Sequence, residues 1–234
     1  MSRSLADAAA EAATCTRCKL ADGRTQVVFG AGRSDADLMF IGEGPGFHED
    51  RLGEPFVGAA GQLLNRMLGE IGLDRADVYI ANVVKCRPPG NRDPEPDEIE
   101  ACTPWLIEQI SLIQPQVIVT LGNFATKFVL NTTTGITRLR GQIHEWHGRT
   151  VIPTFHPAAI LHGGGERSPQ FAALREDLGL VRRTLDAADA STGGPADAVP
   201  AEASAGGPAP GEIARVVPGV SDAPESDPDQ MELF

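Results

Sequence analysis

Residues 36–72, ADLMFIGEGPGFHEDRLGEPFVGAAGQLLNRMLGEIG, read in turn as a strand, a glycine-rich turn and a helix. ADLMFIG (36–42) is an apolar run of strand length, the pattern of a strand buried on both faces. GQLLNRMLGEIG (61–72) sets Leu63, Leu64, Met67, Leu68 and Ile71 on one helical face. Between them, IGEGPGFHED (41–50) crowds glycines, a proline and three carboxylates onto a tight turn at a strand's end.

The alternation continues downstream. DVYIANVVK (77–85), PQVIVTLG (115–122) and TVIPTFHP (150–157) read as strands. DPEPDEIEACTPWLIEQISLI (93–113), with prolines and acids at its start, reads as a helix, as do a short segment around 123–131 and SPQFAALREDLGLVRRTL (168–185). Strands alternating with helices predict an α/β fold, a three-layer sandwich with a central, mainly parallel four-stranded sheet flanked by helices. In such folds ligands sit outside the carboxyl ends of the strands. GEGPG, Asn82–Cys86, Leu121–Asn123 and His156-Pro157 all fall there.

A chain of 234 residues allows one domain plus an appendage. The expected division is a catalytic domain over 1–185 and a disordered tail over 186–234, where Ala, Gly, Pro, Ser and Asp dominate. The tail holds ten acids against Arg215 alone, so it carries −9 of the formal −12 and leaves −3 on the domain. A nearly balanced domain can still present a basic face, so the acidic total does not exclude nucleic acid. No apolar stretch approaches the ~18 residues of a membrane span. The N-terminus lacks the apolar core of a signal peptide. The expected location is the bacterial cytoplasm, beside the nucleoid.

Four cysteines occur, Cys15 and Cys18 as CxxC, then Cys86 and Cys102. Structural disulfides are not expected in a cytosolic chain. The set fits tetrathiolate ligation of zinc or of an iron–sulfur cluster, and the spacing alone leaves both open. The plain alternative is two buried thiols and one binding pair. The glycine turn is not a dinucleotide fingerprint, because its spacing is G-x-G-x-G with Pro45 inside.

Taken together, GEGPGFHEDRLGEPFVGAAGQLLNRML, YIANVVKCRPPGNRDPEPDEIEAC, PQVIVTLG and PTFHPAAILH, with the CxxC ahead of them, closely resemble the family 4 uracil-DNA glycosylases. These are the iron–sulfur members of that superfamily, and the resemblance covers about residues 10–185. It implies a [4Fe-4S] cluster on Cys15, Cys18, Cys86 and Cys102. It further implies hydrolysis of the N-glycosidic bond of deoxyuridine in single- or double-stranded DNA, the start of base-excision repair, by a monomer.

The resemblance also brings Glu43 and Gly44 to the uracil and makes Phe56 the stacking ring. Asn82 offers a donor and an acceptor on one amide, matching N3–H and O4 of uracil. His156 looks like the electrophile at O2, where charge grows as the bond breaks. One carboxylate is wanted for water or for the oxocarbenium-like sugar, Asp50 first and Glu49 second. Leu161 is a candidate wedge for the gap left by the flipped base. Arg87, Arg92, Arg138, Arg140 and Arg167 are candidates for phosphate contacts. Family members carry acids where Phe47 and His48 stand here.

Two other readings are weaker. A relative that captures uracil-DNA covalently would carry a basic, histidine-containing loop after the second strand, and KCRPPGNRDPEP has no histidine. An iron–sulfur redox protein on the same fold leaves Phe56, Asn82 and His156 unexplained. The chain ends in DQMELF, where Gln230, Met231, Leu233 and Phe234 resemble the Q-x-x-L-F peptide by which bacterial repair proteins dock on the sliding clamp.

Overall fold

A computed structural model describes residues 3–192. The clamp-like peptide at Gln230, Met231, Leu233 and Phe234 lies outside the described residues. Six strands form one sheet: β1 (Ala31–Gly32), β2 (Leu38–Gly42), β3 (Tyr79–Asn82), β4 (Val117–Leu121), β5 (His144–Trp146) and β6 (Arg149–Thr154), in the order β1-β3-β2-β4-β6-β5. The four expected strands are β2, β3, β4 and β6, all mutually parallel. The sheet is two strands wider than expected, because β1 and β5 add antiparallel edges. β6 returns from β5 through a two-residue turn with positive φ at His147 and Gly148, the backbone a tight hairpin requires.

The helices are α1 (Leu5–Ala12), α2 (Phe47–Leu52), α3 (Ala59–Glu70), α4 (Pro96–Ile113), α5 (Gly122–Val129), α6 (Ile136–Leu139), α7 (Pro157–His162) and α8 (Pro169–Thr192). α4 begins at Pro96 with Glu95 and Glu98 closing a capping box, which satisfies the first free N–H groups. α8 runs past the expected boundary at 185 to Thr192.

Strand side chains alternate between two cores, as a two-sided sheet demands. Met39 and Ile41 join Ile99, Leu106 and Ile110 of α4 and Ala125 of α5 on one face. Leu38 and Phe40 join Leu64 and Met67 of α3 and Leu174 and Leu178 of α8 on the other. This is the expected three-layer arrangement. No helix among the described residues is long and apolar enough to cross a membrane.

The chain runs from β2 outward to β3, then crosses back to β4 on the other side of β2. That reversal opens a crevice at the strands' carboxyl ends. The register places Gly42 opposite Asn82 and Leu121 opposite Thr154, so the segments that follow emerge together.

Candidate active site

The turn after β2 is glycine-rich because the backbone there threads between two side chains. A Cβ at Gly42 would lie 2.5 Å from Asn82 Oδ1 and 2.8 Å from Phe56 Cζ. Asn82 and Phe56 therefore flank one narrow passage. Asn82 ends β3 and is 1% exposed. Its Oδ1 is a buried acceptor with no hydrogen-bond partner. Leaving such a group unpaired costs about 1–3 kcal/mol, so its persistence points to a ligand donor.

Phe56 is buried at φ +52, a conformation rare for a bulky residue. The surroundings impose it. Glu49 Oε1 accepts from Val57 N (2.9 Å) and Gly58 N (3.0 Å), and Arg75 donates to the carbonyls of Pro55 and Phe56. On the other side, a Cβ at Gly61 would stand 1.8 Å from Phe56 O, so the helix presses bare backbone against that carbonyl. The ring ends 5.5 Å from the imidazole of His156, tilted by 33°.

His156 caps α7, and its Nδ1 accepts from Ala158 N at 3.1 Å. That bond leaves the proton of the neutral ring on Nε2. Part of the ring's surface stays open, yet enclosure lowers its pKa to about 4 against a smaller opposite pull from Glu49. At neutral pH the ring is an uncharged Nε2–H donor.

Three carboxyls follow the turn, and the structure separates them. Glu43 is pushed up to about 7 by burial, then by the charge of Asp93 and a hydrogen bond with it. Asp50 is buried on α2 and accepts from Thr25 N at 2.9 Å, which ties the N-terminal segment to α2. Glu49 stays partly open, clamps the Phe56 loop and acts electrostatically on His156.

The four cysteines form no disulfide and line a single cavity with Arg17, Arg24, Lys85 and Trp105. Cys15 and Cys18 come from the loop after α1, Cys86 follows β3 and Cys102 lies in α4. Three N–H groups point at the sulfurs: Trp105 Nε1 to Cys15 (3.5 Å), Arg24 Nη1 to Cys86 (3.5 Å) and Lys85 N to Cys102 (3.2 Å). Burial raises the thiols of Cys18, Cys86 and Cys102, the last to about 12, so they would ionise only against bound cations. Among the described residues no three His, Cys, Asp or Glu side chains converge as ligands of a single ion.

Leu161 is 39% exposed near the end of α7, five residues beyond His156. Two of the five candidate arginines are committed elsewhere. Arg92 grips Glu98 with two bonds (2.9 and 2.6 Å), and Arg140 does the same to the buried Asp177. Arg87 instead leans over the ring of Phe47.

Sequence reasoning missed Lys85, Arg75 and Asp93. Lys85 is fully buried and donates to Asn82 O (2.7 Å) and Gln109 Oε1 (2.5 Å), linking the cysteine cavity to the end of β3. Its neighbours in Asn-Val-Val-Lys-Cys were a usable signal, since a lysine inside an apolar run has no solvent to reach.

Comparison with known proteins agrees with this geometry. The model of the uracil DNA glycosylase superfamily matches residues 29–179. The chain is 48% identical over 181 residues to a type-4 uracil-DNA glycosylase of Sulfurisphaera tokodaii, covering 74% of this chain and 80% of that protein. It is 52% identical over 149 residues to that of Thermotoga maritima, covering 63% and 78%. A type-5 uracil-DNA glycosylase of Pyrobaculum aerophilum is more distant, 32% identical over 146 residues, covering 55% and 64%. The parallel sheet, the crevice at its carboxyl ends and these similarities lead to one assignment: the chain belongs to the uracil DNA glycosylase superfamily, on its type-4 branch.

Proposed function

We propose that the chain is a monofunctional uracil-DNA glycosylase that hydrolyses the N-glycosidic bond of deoxyuridine, releases uracil and leaves an abasic site, initiating base-excision repair. The observation that carries this reading is the buried, partnerless Asn82 Oδ1 between Phe56 and the turn at Gly42. The N3–H of a flipped uracil supplies the missing donor, and the amide Nδ2 returns a bond to O4. Phe56 stacks on the base, and Glu43 and Gly44 close its edge.

As the C1′–N1 bond lengthens, electrons move into uracil and onto O2. His156 Nε2–H stabilises that charge without giving up its proton, which suits a ring neutral above pH ~4. The sugar becomes cation-like, and the carboxylate of Glu49 stabilises it and takes the proton of the attacking water. Asp50 is the second choice, because it is buried on α2, whereas Glu49 stays partly open and acts electrostatically on His156. Leu161 fills the space the base vacates.

Cys15, Cys18, Cys86 and Cys102 hold a [4Fe-4S] cluster in this reading. Four thiols around one cavity, with N–H donors on three and arginines close by, suit a polynuclear anionic cluster. It supplies cohesion between the N-terminal segment, β3 and α4. Elemental analysis of anaerobically purified protein should find iron near four per chain; zinc instead would overturn the cluster.

The tail peptide at Gln230, Met231, Leu233 and Phe234 tethers the enzyme, acting as a monomer in the cytoplasm, to the sliding clamp. Deleting residues 230–234 should abolish clamp capture and leave excision from a short oligonucleotide unchanged. The decisive test of the activity is incubation with a uracil-containing oligonucleotide followed by alkali. Strand cleavage is expected, whereas a denaturant-resistant adduct would mean a covalent trap and an intact strand would defeat both readings.

A further inference from the structure

Phe47 opens α2 directly after the glycine turn and is 36% exposed. Two guanidiniums lie close to its ring. Arg51, one helical turn on, has its Cζ 5.6 Å from the ring centroid, and Arg87, from the segment after β3, has its Cζ at 5.2 Å. Arg87 is held in place by a bond from Nε to Asn91 Oδ1 at 2.6 Å. Neither arginine forms an ion pair with a carboxylate among the described residues, unlike Arg92 and Arg140.

The start of α2, which carries the ring, also borders the site. A Cβ at Gly46 would meet Glu49 Oε2 at 2.9 Å, and one at Gly58 would meet His48 Cδ2 at 3.6 Å, so the start of α2 packs on the loop that carries Phe56. Pro88, next to Arg87, lies 3.9 Å from the same construction at Gly44. A part-exposed aromatic ring beside two arginines that form no ion pair among the described residues matches one chemistry closely, a nucleobase with its phosphates.

We propose that Phe47 is a stacking platform for the base adjacent to the flipped uracil, with Arg51 and Arg87 engaging the phosphates on either side of that nucleotide. This rests on the reading of the site as a uracil-DNA glycosylase. The site thereby grips an unpaired neighbour as well as the uracil, which favours single-stranded substrate.

The test is steady-state excision from single-stranded oligonucleotides carrying one uracil. Wild-type cleavage is the control for the underlying activity; its absence would defeat that reading and, with it, this one. Given cleavage, Phe47→Ala should raise KM by about 5- to 100-fold, the range of one base–aromatic stack, with kcat changed less than about threefold. Phe47→Trp should restore KM. Replacing the neighbouring base on one side of the uracil by an abasic analogue should raise wild-type KM comparably and leave the Phe47→Ala variant unaffected. The double variant Arg51→Gln, Arg87→Gln should flatten the slope of log KM against log salt by about 1.4, two single-strand phosphates' worth. An unchanged KM for Phe47→Ala, or additive losses with the abasic analogue on both sides, would overturn the platform. Circular dichroism identical to wild type would show that the variant is folded.

Discussion

Glu43 is held in a protonation state that solvent would not favour, at a cost in stability, whereas the neutral ring of His156 is the form that solvent also favours at pH 7. The Glu43 pKa rises from an ordinary 4.5 to about 7, so between those values the folded protein keeps a proton that the unfolded chain has lost. Stability from this group is therefore present below pH ~4.5 and falls as pH rises to about 7. At 1.36 kcal/mol per pH unit the penalty above that window is about 3 kcal/mol. Glu43→Gln should be more stable than wild type by that amount at pH 8 and equal to it near pH 4, as urea unfolding at the two pH values would reveal. For His156 the prediction concerns rate. His156→Ala should lose about 10²–10³ in single-turnover excision, the scale of one oxyanion donor, with little change in DNA affinity. An unchanged rate would make the histidine a helix cap and nothing more.

At the scale of elements, the loop between α2 and α3 is the part most dependent on its supports. Its Phe56 sits at positive φ, held by the Glu49 carboxylate, the Arg75 guanidinium and the bare backbone of Gly61. Helix propensity and packing make opposite predictions for Gly61→Ala. Propensity favours alanine by about 1 kcal/mol in a helix interior. A Cβ 1.8 Å from Phe56 O forces the loop away, and overpacking costs about 1–3 kcal/mol or more. We expect packing to win, with net destabilisation of about 1–2 kcal/mol in urea and a raised KM as Phe56 leaves its position. A stabilised, fully active Gly61→Ala enzyme would show that the loop is not so constrained.

Across the whole molecule, the N-terminal segment packs on α4 and is pinned to the rest of the fold by polar contacts. α1 lies on α4 with Arg3 paired to Glu108, Thr25 N reaches Asp50, and Val28 N bonds Lys85 O at 2.8 Å. The cysteine cavity joins that segment to β3 and α4 together. Cys102→Ala should therefore lower Tm and expose residues before Val28 to limited proteolysis while the sheet core stays protected. Uniform protection with an unchanged Tm would mean that the packing of α1 suffices alone.

The sheet's parallel core and its main helices were legible in the sequence, because runs such as LMFIG and VIVTL carry their burial in local composition. The strand ends, and so the neighbourhood of Gly42, Asn82 and His156, followed from that alternation. α2, β1 and β5 were not legible: two to six residues hold too little periodicity, and tertiary pairing decides them. The sequence ranking of Asp50 over Glu49 had no physical basis in adjacent residues of like charge. Only the fold turns one toward His156 and the other toward Thr25 N–H. Lys85 in full burial and the pairing of Glu43 with Asp93, fifty residues on, belong to the same class. Side-chain chemistry is written in the chain, but protonation state and partner depend on the local dielectric and on neighbours that only the tertiary structure supplies.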